Sequence, residues 1–109
     1  MFIRLFVYAN NEINAKEISE NIISNIESFI VEKKYIKIET YWKIEQIYII
    51  ELSIELNKEI NTEAWINFLK RISDKWEFYG DPIDEILISE SLNGCDYIRK
   101  DISMINIFL

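Results

Sequence analysis

"KYIKIETYWKIEQIYIIELSIEL", residues 34–56, is the stretch that decides the fold. Its hydrophobicity runs with period two, the repeat of a strand whose two faces meet different surroundings. Over 34–42 the alternation puts Ile36, Ile38, Thr40 and Trp42 on one face and Tyr35, Lys37, Glu39 and Tyr41 on the other. Over 47–56 it puts Ile50, Leu52, Ile54 and Leu56 on one face and Glu51, Ser53 and Glu55 opposite. The intervening "KIEQ" is short, so the two strands form a hairpin. Neither Asn-Gly nor Asp-Gly is present to name its turn.

On the N-terminal side, "FIRLFVY" (Phe2 to Tyr8) reads as a strand that is apolar on both faces, with Phe2, Phe6 and Tyr8 alternating against Ile3, Leu5 and Val7. Asn14 is a candidate helix cap, with Glu17 at the reciprocal capping-box position. Ala15, Ile18, Ile22, Ile26, Phe29 and Ile30 follow at spacings of three and four, predicting a helix that ends near Val31. On the C-terminal side a second helix starts at Asn61 or Thr62 and turns Trp65, Phe68, Leu69, Ile72 and Trp76 inward. "WEFYG" then predicts a strand, Asp81-Pro82 a turn, "EILIS" a strand, Asn93-Gly94 a loop and "SMINIF" a closing strand. Pro82 could instead open a helix capped by Asp81, but Ile86, Leu87 and Ile88 favour the strand. The order β-α-β-β-α-β is the ferredoxin-like pattern: an α+β fold with an antiparallel sheet, two helices on one face and extra C-terminal strands. The face opposite the helices is then either covered by those C-terminal strands or left to meet a partner.

A chain of 109 residues has room for one core, so residues 1–109 are expected to form a single domain. A hydrophobic fraction of 50% with 14% aromatic residues belongs to a folded globule. The single cysteine, Cys95, offers no internal disulfide. No apolar run is long enough to span a bilayer, and the N-terminus alternates like a strand rather than a signal peptide. A soluble, cytoplasmic protein is the expectation. Charge is uneven: residues 1–76 carry 12 acidic and 10 basic side chains, whereas residues 77–109 carry 7 and 2. Nucleic acid and anionic membranes reward clustered Lys and Arg, so a basic protein suits this chain better.

With no histidine, Ser-His and Cys-His nucleophiles and imidazole metal sites are excluded. Cys95 lies beside Asp96, which disfavours a thiolate. "DPIDE" lacks the alternation and turn glycine of a calcium loop. A small hydrolase working through paired carboxylates would need a cleft that nothing here supplies. The expectation is therefore neither an enzyme nor a metal or cofactor protein. What remains is an acidic surface with aromatic anchors: Glu77, Asp81, Asp84, Glu85 and Glu90 for charge, with Tyr79, Tyr41 and Trp42 for packing.

In length, acidity, lack of catalytic side chains and α+β order, with "WEFYGDPIDEILIS" (Trp76 to Ser89) as its nearest approach to a motif, the chain resembles the small acidic immunity proteins of bacterial toxin systems, including contact-dependent growth inhibition. The resemblance implies a protein that binds a cognate toxin, often a basic nuclease, and blocks its active site with acids standing in for phosphates. It carries over no contact residues. The alternative, from the fold pattern alone, is a regulatory or ligand-binding domain that homodimerises through an open sheet face, burying Phe2, Phe6 and Ile49.

Overall fold

The computed structural model describes residues 1–57, 61–91 and 94–109. Strand β1 (Phe2–Tyr8) leads to helix α1 (Glu12–Ile23), which a 3₁₀ helix (Ser24–Phe29) prolongs. Strands β2 (Ile30–Thr40) and β3 (Ile47–Leu56) follow, then helix α2 (Thr62–Ile72), then β4 (Glu77–Tyr79), β5 (Glu85–Ser89) and β6 (Ile102–Phe108). The strands form one six-stranded antiparallel sheet in the order β2-β3-β1-β6-β5-β4.

The α+β class and the 34–56 hairpin stand as expected, but the strand order departs from the ferredoxin-like pattern. In that pattern the strand after α2 lies beside β1. Here β6 takes that place and the strand after α2 is pushed to the far edge. The reason lies in the two segments. β6 offers seven residues with buried Ile102, Ile105 and Ile107, enough to match β1 along its length. β4 offers only Glu77, Phe78 and Tyr79, and short, charged strands belong at edges. Nor do the C-terminal strands fold over the face opposite the helices. They extend the same sheet.

Register makes one face a single apolar layer. Ile3 lies opposite Leu52 and Ile107, Leu5 opposite Ile50 and Ile105, and Ile86 and Ile88 continue the rows on β5. Against this layer pack Ala15, Ile22 and Ile23 of α1, Ile26 of the 3₁₀ turn, and Phe68, Leu69 and Ile72 of α2. The second helix starts where expected, at Thr62, with Asn61 capping it by accepting from the Ala64 N–H at 2.8 Å, and Lys70 and Arg71 suit the negative end of its dipole. Trp65 and Trp76 are half-buried against the core. The cap of α1 is Asn11, not Asn14: Asn11 Oδ1 accepts from the Asn14 N–H at 2.8 Å. The predicted helix also divides, because the chain tightens to 3₁₀ after Ile23 and is already extended at Ile30.

A β-bulge in β2 corrects the strict alternation over 34–42. Tyr35 pairs with Leu52 and Lys37 with the next residue, Glu51, so Ile36 is extra. Tyr35 therefore joins the helix face, where its hydroxyl meets Ser19 and Glu20 of α1, and Ile36 is left 55% exposed. Burial, chiefly, pushes the Tyr35 phenol up to about 12. Asn93 of the predicted Asn93-Gly94 loop lies outside the described residues, and Gly94 sits in a turn.

The bulge separates two isoleucines that look alike in sequence. Ile50→Ala is expected to cost about 2–5 kcal/mol of stability, by the loss of a buried side chain and the void it leaves. Ile36→Ala should stay within about 0.5 kcal/mol. Urea unfolding of both variants checks this, and equal costs would contradict the bulge.

Candidate functional site

The face away from the helices carries no second layer among the described residues, and its chemistry divides along β1. On one half, Arg4 of β1 reaches Glu51 of β3 at 3.0 Å, and Lys37 of β2 meets Glu51 at 3.3 Å and Glu39 at 3.5 Å. The Arg4 guanidinium also lies over the Phe2 and Phe108 rings, 5.7 and 5.9 Å from their centroids. Burial raises the Glu51 carboxyl, but the hydrogen bonds and charges of Arg4 and Lys37 outweigh it and hold the group below its ordinary 4.5. Glu39 and Glu51 are thus charge-paired, whereas Glu32 and Glu55, opposite each other on β2 and β3, have no ion-pair partner among the described residues.

The other half is built by β5 and β4. Cross-strand pairing puts Glu77 beside Leu87 and Tyr79 beside Glu85 on this face. The turn between them, residues 80–84, requires glycine at its start. Gly80 has φ +96°, and a side chain there would press on the Pro82 carbonyl oxygen at 2.8 Å and on the Asp84 carboxylate. The Asp84 N–H closes the turn on the Tyr79 carbonyl at 3.0 Å, and the Asp84 carbonyl accepts from the Leu109 N–H at 2.8 Å. The hairpin is thus tied to the end of β6, while Asp81 and Asp84 face solvent.

Each acid of the hairpin has neutral partners or water. Glu77 accepts from the Tyr79 hydroxyl, Glu85 from Asn106 Nδ2 at 3.1 Å, and Glu90 from the Tyr8 hydroxyl at 2.5 Å and Ser103 Oγ at 3.2 Å. Hydrogen bonding to the neighbouring carboxylate is the leading cause that raises the phenols of Tyr8 and Tyr79 above their ordinary value. Among the described residues none of Glu77, Asp81, Asp84, Glu85 and Glu90 has a Lys or Arg as an ion-pair partner. The nearby C-terminal cations give no relief in the form of ion pairs. Arg99 is held on both oxygens of Asp101, at 2.7 and 3.0 Å, and Lys100 is exposed.

The structure brings together four of the predicted residues, Tyr79, Asp81, Asp84 and Glu85, at one end of the hairpin, with Glu77 next to them. Glu90 lies past the other end of β5, about 17 Å from Glu85 at 3.3 Å per residue. Tyr41 and Trp42 do not join the acids. They follow β2 at the opposite side of the sheet, where Tyr41 packs edge-on against Phe6 at 5.2 Å. Trp42 stands 83% exposed with Lys43 over its ring. Phe78, which interleaves with Glu77 and Tyr79 in sequence, was not among the predicted anchors. Period two assigns it to the helix side beside Ile86, yet β4 lies at the sheet edge and leaves it 52% exposed. Ile83, 49% exposed at the turn, was missed as well. A hairpin between a helix and a closing strand is the signal that points to such an edge.

Among the described residues no three acidic or cysteine side chains converge as a metal-holding group, and no helix is long and apolar enough to cross a membrane. No family model, curated protein or solved structure matches the chain.

The Glu51 ion pairs have an acid-dependence that can be measured. Because the Glu51 carboxyl titrates lower in the folded than in the unfolded chain, the unfolded chain takes up its proton first as pH falls. The stabilisation is complete above about pH 4.5 and drains as pH falls through the folded value. Glu51→Gln should therefore flatten the acid limb of a urea-midpoint profile below pH 4.5, and an unchanged limb would place that loss in other carboxylates.

Proposed function

We propose that this protein is a non-enzymatic inhibitor that docks its acidic edge hairpin on a basic protein, in the manner of an immunity protein neutralising a cognate toxin domain such as a nuclease. The observation that carries the proposal is the contrast across one sheet face. Glu39 and Glu51 on the β3 side have cationic partners, while among the described residues Glu77, Asp81, Asp84 and Glu85 have none; Glu32 and Glu55 have none either, but only the hairpin acids stand beside exposed Phe78, Tyr79 and Ile83. An unneutralised acidic rim accelerates encounter with a basic partner, and the apolar side chains among the acids supply contact area once docked. Against a nuclease, the same carboxylates would occupy cationic sites that otherwise hold phosphates.

Self-association through the open face has less to drive it. It calls for Phe2, Phe6 and Ile49 as contact surface, and Phe6 is only 8% exposed, already covered by Tyr41.

The test is co-purification with the product of the adjacent upstream gene, at low and high salt. A tight complex is expected, forming faster at low salt. Reversing Asp81, Asp84 and Glu85 to Lys should slow association on the order of tenfold or more while leaving the circular dichroism spectrum unchanged. Unchanged kinetics in that variant would refute the hairpin as the docking surface.

A further inference from the structure

We infer that β4 is a strand-docking edge: an extended segment of the basic partner adds to the sheet alongside Glu77–Tyr79, alternating apolar residues toward α2 with Lys or Arg toward the open face. This rests on the preceding proposal that the partner is a basic protein, and it names how that partner is held.

Three observations carry it. The first is topological. β4 pairs with β5 alone and ends the sheet, so among the described residues no strand covers its outer side. An uncovered strand edge is a template for another backbone.

The second is that the two sides of this edge differ in chemistry. Toward α2, Phe78 and Ile66 are 52% and 42% exposed, and they border a groove of about 290 Å³ floored by Leu69 and Trp76. The Trp76 indole is fixed there, its Nε1–H donating to the Leu69 carbonyl at 2.9 Å. Lys70 and Lys75 rim the same groove together with Asp74, whose carboxylate is taken up by the Asp96 and Tyr97 N–H groups, so the balance of charge on that side does not favour a cation of the partner. Toward the open face stand Glu77 and, one strand in, Glu85. A strand laid along β4 sends successive side chains to these two sides in turn. Period two is thereby imposed on the occupant: apolar, basic, apolar, basic.

The third is the contrast with the other edge. β2 carries Lys33, Lys34 and Lys37 and two bulges, after Ile30 and after Tyr35. Bulges and lysines are edge protection, although Lys33 and Lys37 are ion-paired to Glu20 and to Glu39 and Glu51. β4 has neither bulge nor lysine, and its defence is its shortness and the single charge of Glu77. Three residues allow few backbone bonds, so the flanking groove and carboxylates must provide the rest of the affinity.

The probe is a labelled peptide alternating Lys and Val, titrated against the full chain by fluorescence anisotropy, with amide hydrogen exchange read over residues 77–79. Binding with slowed exchange there is expected. N-methylating alternate residues of the peptide, which keeps its charges and removes its outward N–H groups, should weaken binding about tenfold, the worth of one or two hydrogen bonds. Phe78→Ala, which removes the exposed ring bordering the groove, should weaken binding from the protein side as well. Equal binding of the N-methylated peptide would overturn strand addition while leaving a charge-driven acidic surface standing. Equal binding of a Glu-Val peptide would remove the charge preference, and with it the basic partner. Sedimentation of the chain alone as a dimer that Phe78→Ala dissociates would assign the edge to a second copy and overturn the inference.

Discussion

Pairing of β1 with β6, the first strand with the last, is the constraint on which the rest of the arrangement depends. Closing nearly the whole chain costs about 2–3 kcal/mol more loop entropy than closing the short β2–β3 connection, since each doubling of loop length adds only about 0.6 kcal/mol. Four side chains that meet across the pair, Ile3, Leu5, Ile105 and Ile107, are each at most 1% exposed, and each such burial contributes about 1.5–3 kcal/mol. The contact therefore favours closure despite its separation in sequence. Once β6 lies beside β1, β5 can pair only on the outer side of β6, and β4 only outside β5. The acidic hairpin reaches the edge because the centre is occupied.

That displacement explains why charge is unevenly handled on one face. Strands near the centre have neighbours on both sides, and a carboxylate there, such as Glu51, sits largely out of water. It persists because Arg4 and Lys37 reach it from the strands on either side. Desolvation would otherwise be severe. At the β4 edge no such ion pair is present among the described residues and none is needed, since Asp81 and Asp84 are solvated. Pairing on the inner strands and solvation at the rim are two answers to one electrostatic requirement, and only the second leaves charge available to another molecule.

Local pattern made some of this legible and long-range competition hid the rest. β1 could be read from its aromatic and branched residues, and β3 and α2 because their apolar residues keep a strand or helix period, with α2 starting at Thr62 as the Asn61-Thr62 pair suggests. The start of α1 was misassigned because Asn11 and Asn14 have equal capping chemistry; Asn14 Oδ1 is instead taken by the Asn10 N–H. Its end was misplaced because a 3₁₀ turn still carries Ile26 inward, so the apolar stripe outlasts the α-helix. The bulge at Ile36 leaves no mark in a run where every second residue is already apolar. Strand order was invisible for a different reason: "WEFYG" and "SMINIF" compete for the place beside β1, and length decides between them only when both are seen against β1. The acids were legible by composition. Their separation from Tyr41 and Trp42 was not, because it follows from that same competition.

A division between what holds the fold and what faces outward follows from these positions. The buried cluster draws on β1, β3, β5, β6, both helices and the 3₁₀ turn, but on no residue of β4 or of the turn 80–84. Of the hairpin's two strands, only β5 sends side chains, Ile86 and Ile88, into it. The turn is constrained by backbone instead, through Gly80 and through the Asp84 contacts to Tyr79 and Leu109, so the identity of its exposed side chains costs the core almost nothing. Surface substitutions away from packing are generally worth less than about 0.5 kcal/mol, against a total stability of roughly 5–15 kcal/mol. A protein that must match one partner and reject related ones needs a surface of this kind. Asp81, Ile83 and Asp84 can change while β1 and β6 keep the sheet in register beneath them.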